Sequence, residues 1–245
     1  MLIYYKMKKA FTLIELVFVI VITGILSAVL IPKFNRPTLI EAANQLASHI
    51  RYTQHLAMID NKFDPKEKYW YKGRWQIFFA KTKGSDKMWA YTIFSDSRGT
   101  VGYKGFPDIK EIAKNPLNPT GQYLTGGYTW GNIPYKDKIT KEIDSRVTKN
   151  MNLGHYYSIK DIEFRGGCRN GKNRRIAFDN IGRVLYGNSK YLDSSYHGTN
   201  SPNGNHLMST QCVIELCTVD DCNKASIDEK VRIAVEAETG YTHIL

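Results

Sequence analysis

From Phe11 to Ile31 the chain is apolar with a few small or hydroxyl residues, and Glu15 is the one charge. As a helix this run reaches about 30 Å, the thickness of a membrane's hydrocarbon core. The pattern then changes. From Pro37 onward Leu39, Ala43, Leu46, Ile50, Thr53 and Ala57 recur at three- and four-residue spacing, with Ile40, Ala47 and Leu56 beside them. Glu41, Asn44, Ser48, Arg51 and Gln54 fall on other faces. That predicts an amphipathic helix with an apolar stripe to lay on a sheet.

Beyond Asp60 the signals are those of strands. Residues 75–80, 89–94, 157–164, 175–178, 184–186, 212–216 and 231–237 are rich in β-branched and aromatic side chains. Turn signals separate several of them, at 83–86, 180–182 and 239–240, and the last predicts a closing hairpin with residues 241–244. Residues 99–150, rich in Gly, Pro, Asn and Tyr, read as an insertion with one helix near Ile139–Lys149. Residues 187–209 read as a long polar loop. The expected class is α+β, a long helix followed by an antiparallel sheet.

Composition supports an anchored helix with a folded head. Hydrophobic residues make up 42% of the chain and charged residues 23%, enough apolar content for a packed core. Lys8 and Lys9 precede the apolar run, so the lysines should stay cytoplasmic and the head should lie outside. A secretory signal places its small-residue cleavage site after the apolar run. Here the run continues into Pro32-Lys33-Phe34, and the small residue, Ala10, comes before it.

Ala10-Phe11-Thr12-Leu13-Ile14-Glu15 resembles the recognition motif of the prepilin peptidase, as found in type IV pilins and the pseudopilins of type II secretion. Where that family usually has Gly, this chain has Ala10, which is also small. The resemblance implies cleavage between Ala10 and Phe11, N-methylation of Phe11, and a pilin fold. It implies a leader over 1–10, or a shorter one from Met7. A helix over 11–60 would follow, with a transmembrane and polymerisation segment over 11–31, and then a β-rich head over 61–245. A carboxylate inside an apolar span is costly, and such residues are functional by default. In the family it pairs with the N-terminal amine of a neighbouring subunit, the role implied for Glu15. Gly24 and Pro32 would loosen the helix on assembly. The head also has loose likenesses to minor pseudopilins, in Leu46–Arg51, Gly73–Phe78 and Phe178–Arg183. The partners implied are the prepilin peptidase, other pilins or pseudopilins met through the helix, and an inner-membrane assembly machinery. The implied place is the bacterial inner membrane, single-pass, with the head in the periplasm until a filament forms.

The remaining chemistry adds little to that picture. The formal charge is +11, and removing residues 1–10 would take away Lys6, Lys8 and Lys9 and leave +8. Two basic stretches carry a nucleic-acid reading. Lys66–Trp75 interleaves lysine and aromatic residues, with Lys68, Trp70, Lys72 and Arg74 as candidates. The second holds Arg165, Arg169, Lys172, Arg174 and Arg175, with Arg169 and Arg174 as candidates. Capture of DNA by an uptake pilus is thus one alternative, and a membrane-anchored binding protein that never polymerises is another. No phosphate-binding glycine loop, H-E-x-x-H or G-x-S-x-G occurs, so no enzyme, cofactor or metal is expected. Cys168, Cys212, Cys217 and Cys222 are even in number in a chain that leaves the cytoplasm, which points to disulfides. Four cysteines allow three pairings that sequence does not separate. The pairing expected is Cys168–Cys212 with Cys217–Cys222, the latter closing a tight loop over residues 218–221.

Overall fold

The computed structural model describes residues 12–30, 35–97, 99, 102–128, 133–169, 174–188, 190, 195 and 206–245. Ala10, Phe11 and Pro32 lie outside them. The chain divides into two compact units, Met1–Thr38 and Leu39–Leu245.

In the first unit, helix α1 runs over Leu13–Leu30, 18 residues. Its large apolar side chains from Leu13 to Leu26 are all exposed, the least so being Val17 at 45%. Among the described residues no helix is long and apolar enough to cross a membrane. The spanning segment expected over 11–31 is therefore not met by a described helix. Helix α1 covers about 27 Å, and the outer residues of the apolar run, Phe11 and Ile31, lie outside the described set.

Helix α2 spans Asn35–Ile59. Within the second unit Leu39, Ala42, Ala43, Leu46, Ala47, Ile50 and Ala57 are buried along one stripe. That stripe joins the inward-facing residues of two antiparallel sheets in a single core. The first sheet contains β1 (Trp75–Lys81), β2 (Trp89–Ser95), β4 (Arg175–Phe178), β5 (Val184–Tyr186) and β6 (His206–Leu207), in the order β2-β1-β4-β5-β6. The second contains β3 (Asp161–Gly166), β7 (Cys212–Cys217), β8 (Lys230–Val235) and β9 (Thr242–Ile244), in that order.

Strand alternation explains the layering. Ile77 pairs with both Ile93 and Ile176 across the first sheet, and all three enter the core under α2. From the second sheet Phe164, Ile214 and Ile233 enter the same core. Each fully buried Leu or Ile contributes about 1.5–3 kcal/mol.

The first sheet is buried on its other face as well. There Phe78 and Phe94 pack with Ile112, Ile133, Tyr135 and Val147 from the stretch read as an insertion. Isolated bridges tie that stretch to β2, at Thr92↔Thr125 and Phe94↔Ile112. The Thr92 and Thr125 hydroxyls also meet at 2.7 Å. Gly126 lets it come close, because a Cβ there would strike the Met151–Asn152 backbone.

Three expectations are corrected. Residues 139–149 form turns and not a helix. Asp137 Oδ1 accepts from the backbone N–H of Ile139 and Thr140, and Lys141 has φ +62°. These local bonds compete with helix formation. The strand expected from Tyr157 starts only at Asp161, because Leu153–Tyr157 is a short helix, α3. The Asn152 side chain accepts from His155 N–H, and its amide donates to Ser85 O and Gly126 O. The polar stretch 187–209 contributes the two-residue strand β6.

Candidate assembly segment and charged surfaces

Helix α1 begins with a reciprocal cap. Thr12 donates to Glu15 Oε2 from its backbone N–H and its hydroxyl, both at 2.9 Å, and Glu15 N–H reaches Thr12 Oγ1 at 3.4 Å. This is a capping box, formed by the T-x-x-E spacing at the start of the apolar run. The spacing is visible in sequence, where Glu15 draws attention only as a charge. Halfway along, Thr23 Oγ1 donates back to Val19 O at 2.7 Å and lies 3.1 Å from Ile20 O. Such back-bonding weakens or bends a helix. Gly24 follows directly, with open space where a Cβ would stand. The loosening expected at Gly24 thus has a neighbour in Thr23 that sequence reasoning passed over.

The three head motifs have structural work to do. In the first, on α2, His49 Nδ1 lies 2.7 Å from Tyr91 OH, and Arg51 Nη2 donates to Thr242 O at 2.7 Å. Burial pulls His49 down from 6.5 to about 4. Gln45 joins this relay, donating to Tyr91 OH and accepting from Tyr157 OH. Nearby, Gln54 Nε2 donates to Gly182 O and Thr239 O, so one side chain holds the turns of both sheets. In the third motif, buried Asp179 Oδ1 accepts from Ile181 and Arg183 N–H, while Gly182 takes φ +86°. In the second, Trp75 Nε1 donates to Asp60 Oδ2 at 2.8 Å.

The nucleic-acid candidates do not form one surface. Arg74 is 3% exposed, donates to Ser195 O at 2.6 Å and lies 5.3 Å from the Trp70 ring centroid. Trp70 packs edge-on to Phe63 and Tyr71. Lys72 Nζ donates to Lys190 O and sits over Tyr69, as does Lys68. The second stretch separates into unlike roles. Arg174 bonds Ile162 O and Glu163 and covers Trp89. Arg165 pairs with buried Glu215, which Arg232 also holds. Arg175 is wholly buried over the Phe78 ring at 4.4 Å, with its value lowered to about 10 by that burial. Arg169 is exposed, and Lys172 lies outside the described residues. Arg74 and Arg174 flank opposite ends of β1, since Phe79 N–H bonds Arg174 O while Arg74 precedes Trp75.

Disulfides join Cys168 to Cys212, with Cα atoms 5.0 Å apart, and Cys217 to Cys222, 5.5 Å apart. The first ties the end of β3 to the start of β7, and the second closes a loop at the end of β7. Among the described residues no cluster of His, Cys, Asp or Glu has metal-binding geometry.

Ahead of the α+β head, helix α1 exposes its large apolar side chains from Leu13 to Leu26, and Glu15 caps its first turn. The family model for the prokaryotic N-terminal methylation motif matches residues 5–31, so the chain carries the type IV pilin and pseudopilin signature. No curated protein and no solved structure matches the chain.

Proposed function

We propose that the chain is a structural subunit, a minor pilin or pseudopilin, of a type IV pilus-like or type II secretion filament assembled from the inner membrane. The observation that carries this reading is the methylation motif over 5–31, together with a helix whose large apolar side chains from Leu13 to Leu26 are exposed. Lipid before assembly and neighbouring helices after it would cover them. Cleavage between Ala10 and Phe11 would free an amine four residues ahead of Glu15. In the single chain the Glu15 carboxylate caps its own helix through Thr12. In the filament it would exchange part of that cap for the methylated amine of a neighbour, two charges each costly in lipid satisfying one another. Thr23, Gly24 and Pro32 would be where the helix gives. The head, with its two disulfides, would decorate the filament or cap it on the outer side of the membrane.

Glu15→Ala tests the assembly role. The variant should still be processed and anchored, and should be depleted from sheared filaments by tenfold or more, as loss of about 1.4 kcal/mol or more per contact implies. Incorporation at the level of the unaltered chain would contradict the pairing.

A further inference from the structure

At one end of the β1–β2 pair the head has an open cavity of about 440 Å³. Half-buried Trp70, Trp75 and Tyr103 supply an aromatic wall, and Asp64, Glu67 and Glu111 stand with them. Backbone N–H groups position these acids. Asp64 Oδ1 accepts from Lys66, Glu67 Oε1 from Tyr69 and Glu111 Oε1 from Ser97. A carboxylate has about four acceptor sites, so such bonds leave capacity for an incoming donor. The lining holds four carboxylates, these and buried Asp96, against two lysines, Lys62 and Lys110, and Lys62 is already paired with Asp60. Lys62 Nζ also sits 5.4 Å from the Trp75 ring centroid, so this wall accepts a cation. The cavity is thus locally acidic on a chain of formal charge +11.

At the other end of the same strand pair stands a cationic knob. The turn over 137–142 is rooted at the β1–β2 turn, where Tyr135 N–H donates to Gly84 O and Lys136 Nζ meets Asp86 at 3.1 Å. Ile139 at its tip is 89% exposed, and Lys138 and Lys141 on either side are exposed as well. The tip is held in shape from within. Asp137 Oδ1 accepts from Ile139 and Thr140 N–H, and Lys141 Nζ donates to Lys138 O. Asp137 therefore spends its carboxylate inside the turn, and Glu142 stays at the base, next to Ile143, which bridges to Lys136. A preformed turn loses little freedom on docking.

We propose that the knob of one copy docks in the cavity of a second copy, with Ile139 on the aromatic wall and Lys138 and Lys141 against Asp64, Glu67 and Glu111. Trp75 pairs with Ser95 at the cavity end and Lys81 with Trp89 at the knob end, about 20 Å apart along the strand. Ile139 is three residues beyond Lys136, a reach of about 10 Å, so a knob does not fill the cavity of its own copy. Knob and hole are different surfaces at opposite ends, so the contact is heterologous and repeats head to tail. An apolar anchor in an aromatic pocket supplies the affinity, and the charged rim sets the register. The contact joins heads and does not rest on the filament reading, which joins chains through α1.

The test is zero-length carbodiimide cross-linking of the full chain in a non-ionic detergent, with ¹⁵N-labelled and unlabelled copies mixed. Links between copies then give peptide pairs of mixed isotope, which links within a copy do not. Such pairs should join Lys138 or Lys141 to Asp64, Glu67 or Glu111. They should fall severalfold in about 0.5 M salt, which screens exposed charges. Ile139→Asp should cut them about tenfold. Leu117→Asp alters another apolar side chain of the same stretch, 93% exposed, and should leave them unchanged. Both substitutions are at the surface, where folding tolerates them. Absence of mixed-isotope links between these groups overturns the docking. So do links unaffected by salt or by Ile139→Asp, or removed equally by Leu117→Asp.

Discussion

Helices α1 and α2 have the same backbone state and opposite surroundings. Helix α1 leaves its large apolar side chains from Leu13 to Leu26 exposed, while α2 sinks Leu39, Leu46 and Ile50 to 2% exposure or less. The difference follows from patterning. An apolar surface on all sides needs a solvent or partners of its own, whereas a stripe needs one sheet. Here the stripe meets two sheets at once, and Gln54 ties a turn of each to the helix. Fold stability should therefore reside in α2 and the head, and any property of α1 should be separable from it. That separation is open to attack at several strengths.

The largest effect is expected at the centre of the stripe. Leu46→Ala removes a fully buried side chain and should cost about 2–5 kcal/mol, read from the urea midpoint of the full chain in detergent. A pH titration comes next. His49 sits at about 4 in the fold against 6.5 unperturbed, because burial disfavours its charged form. The unfolded chain takes up this proton near 6.5 and the folded chain does not. The contribution is therefore complete above pH 6.5 and declines as pH falls toward 4, by about 1–3 kcal/mol. His49→Gln should flatten that part of the stability profile.

Gln54→Ala follows, at about 1–2 kcal/mol for two lost carbonyl contacts, with hydrogen exchange rising at the turns around Gly182 and Thr239. The smallest effect is the most pointed. Leu16→Ala on α1 should leave the head's midpoint within about 0.5 kcal/mol. A loss like that of Leu46→Ala would mean that α1 is part of the folded core after all.

The two helices were also unequally legible in sequence. Period and burial agree along α2, because one stripe faces one core. Strand positions at Arg175–Phe178 and Val184–Tyr186 were equally plain, since β-branched and aromatic runs stood between turn residues. The stretch 99–150 was not legible as part of the core. Its apolar residues are sparse and aperiodic, and they come together through bridges to β2, bridges within the stretch such as Tyr123↔Val147, and a close backbone approach at Gly126. Asp144 lies within the helix expected near Ile139–Lys149 and Asp137 just before it, yet their carboxylates bond nearby N–H groups and hold turns. Arg175 belonged to a basic run in sequence, and only the fold shows it buried among Phe78, Phe94 and Phe106. The cap of α1 is written plainly as Thr12-x-x-Glu15, but in an apolar run Glu15 stands out first as a charge that needs a partner.

The proposal that α1 is a processed filament helix is tested most directly by mass. The chain would be co-expressed with a prepilin peptidase and analysed intact, then by sequencing of its N-terminal peptide. The account predicts loss of everything up to Ala10 and an N-methylated Phe11 as the new terminus. A chain that keeps its leader, or one cut after the apolar run, would contradict it.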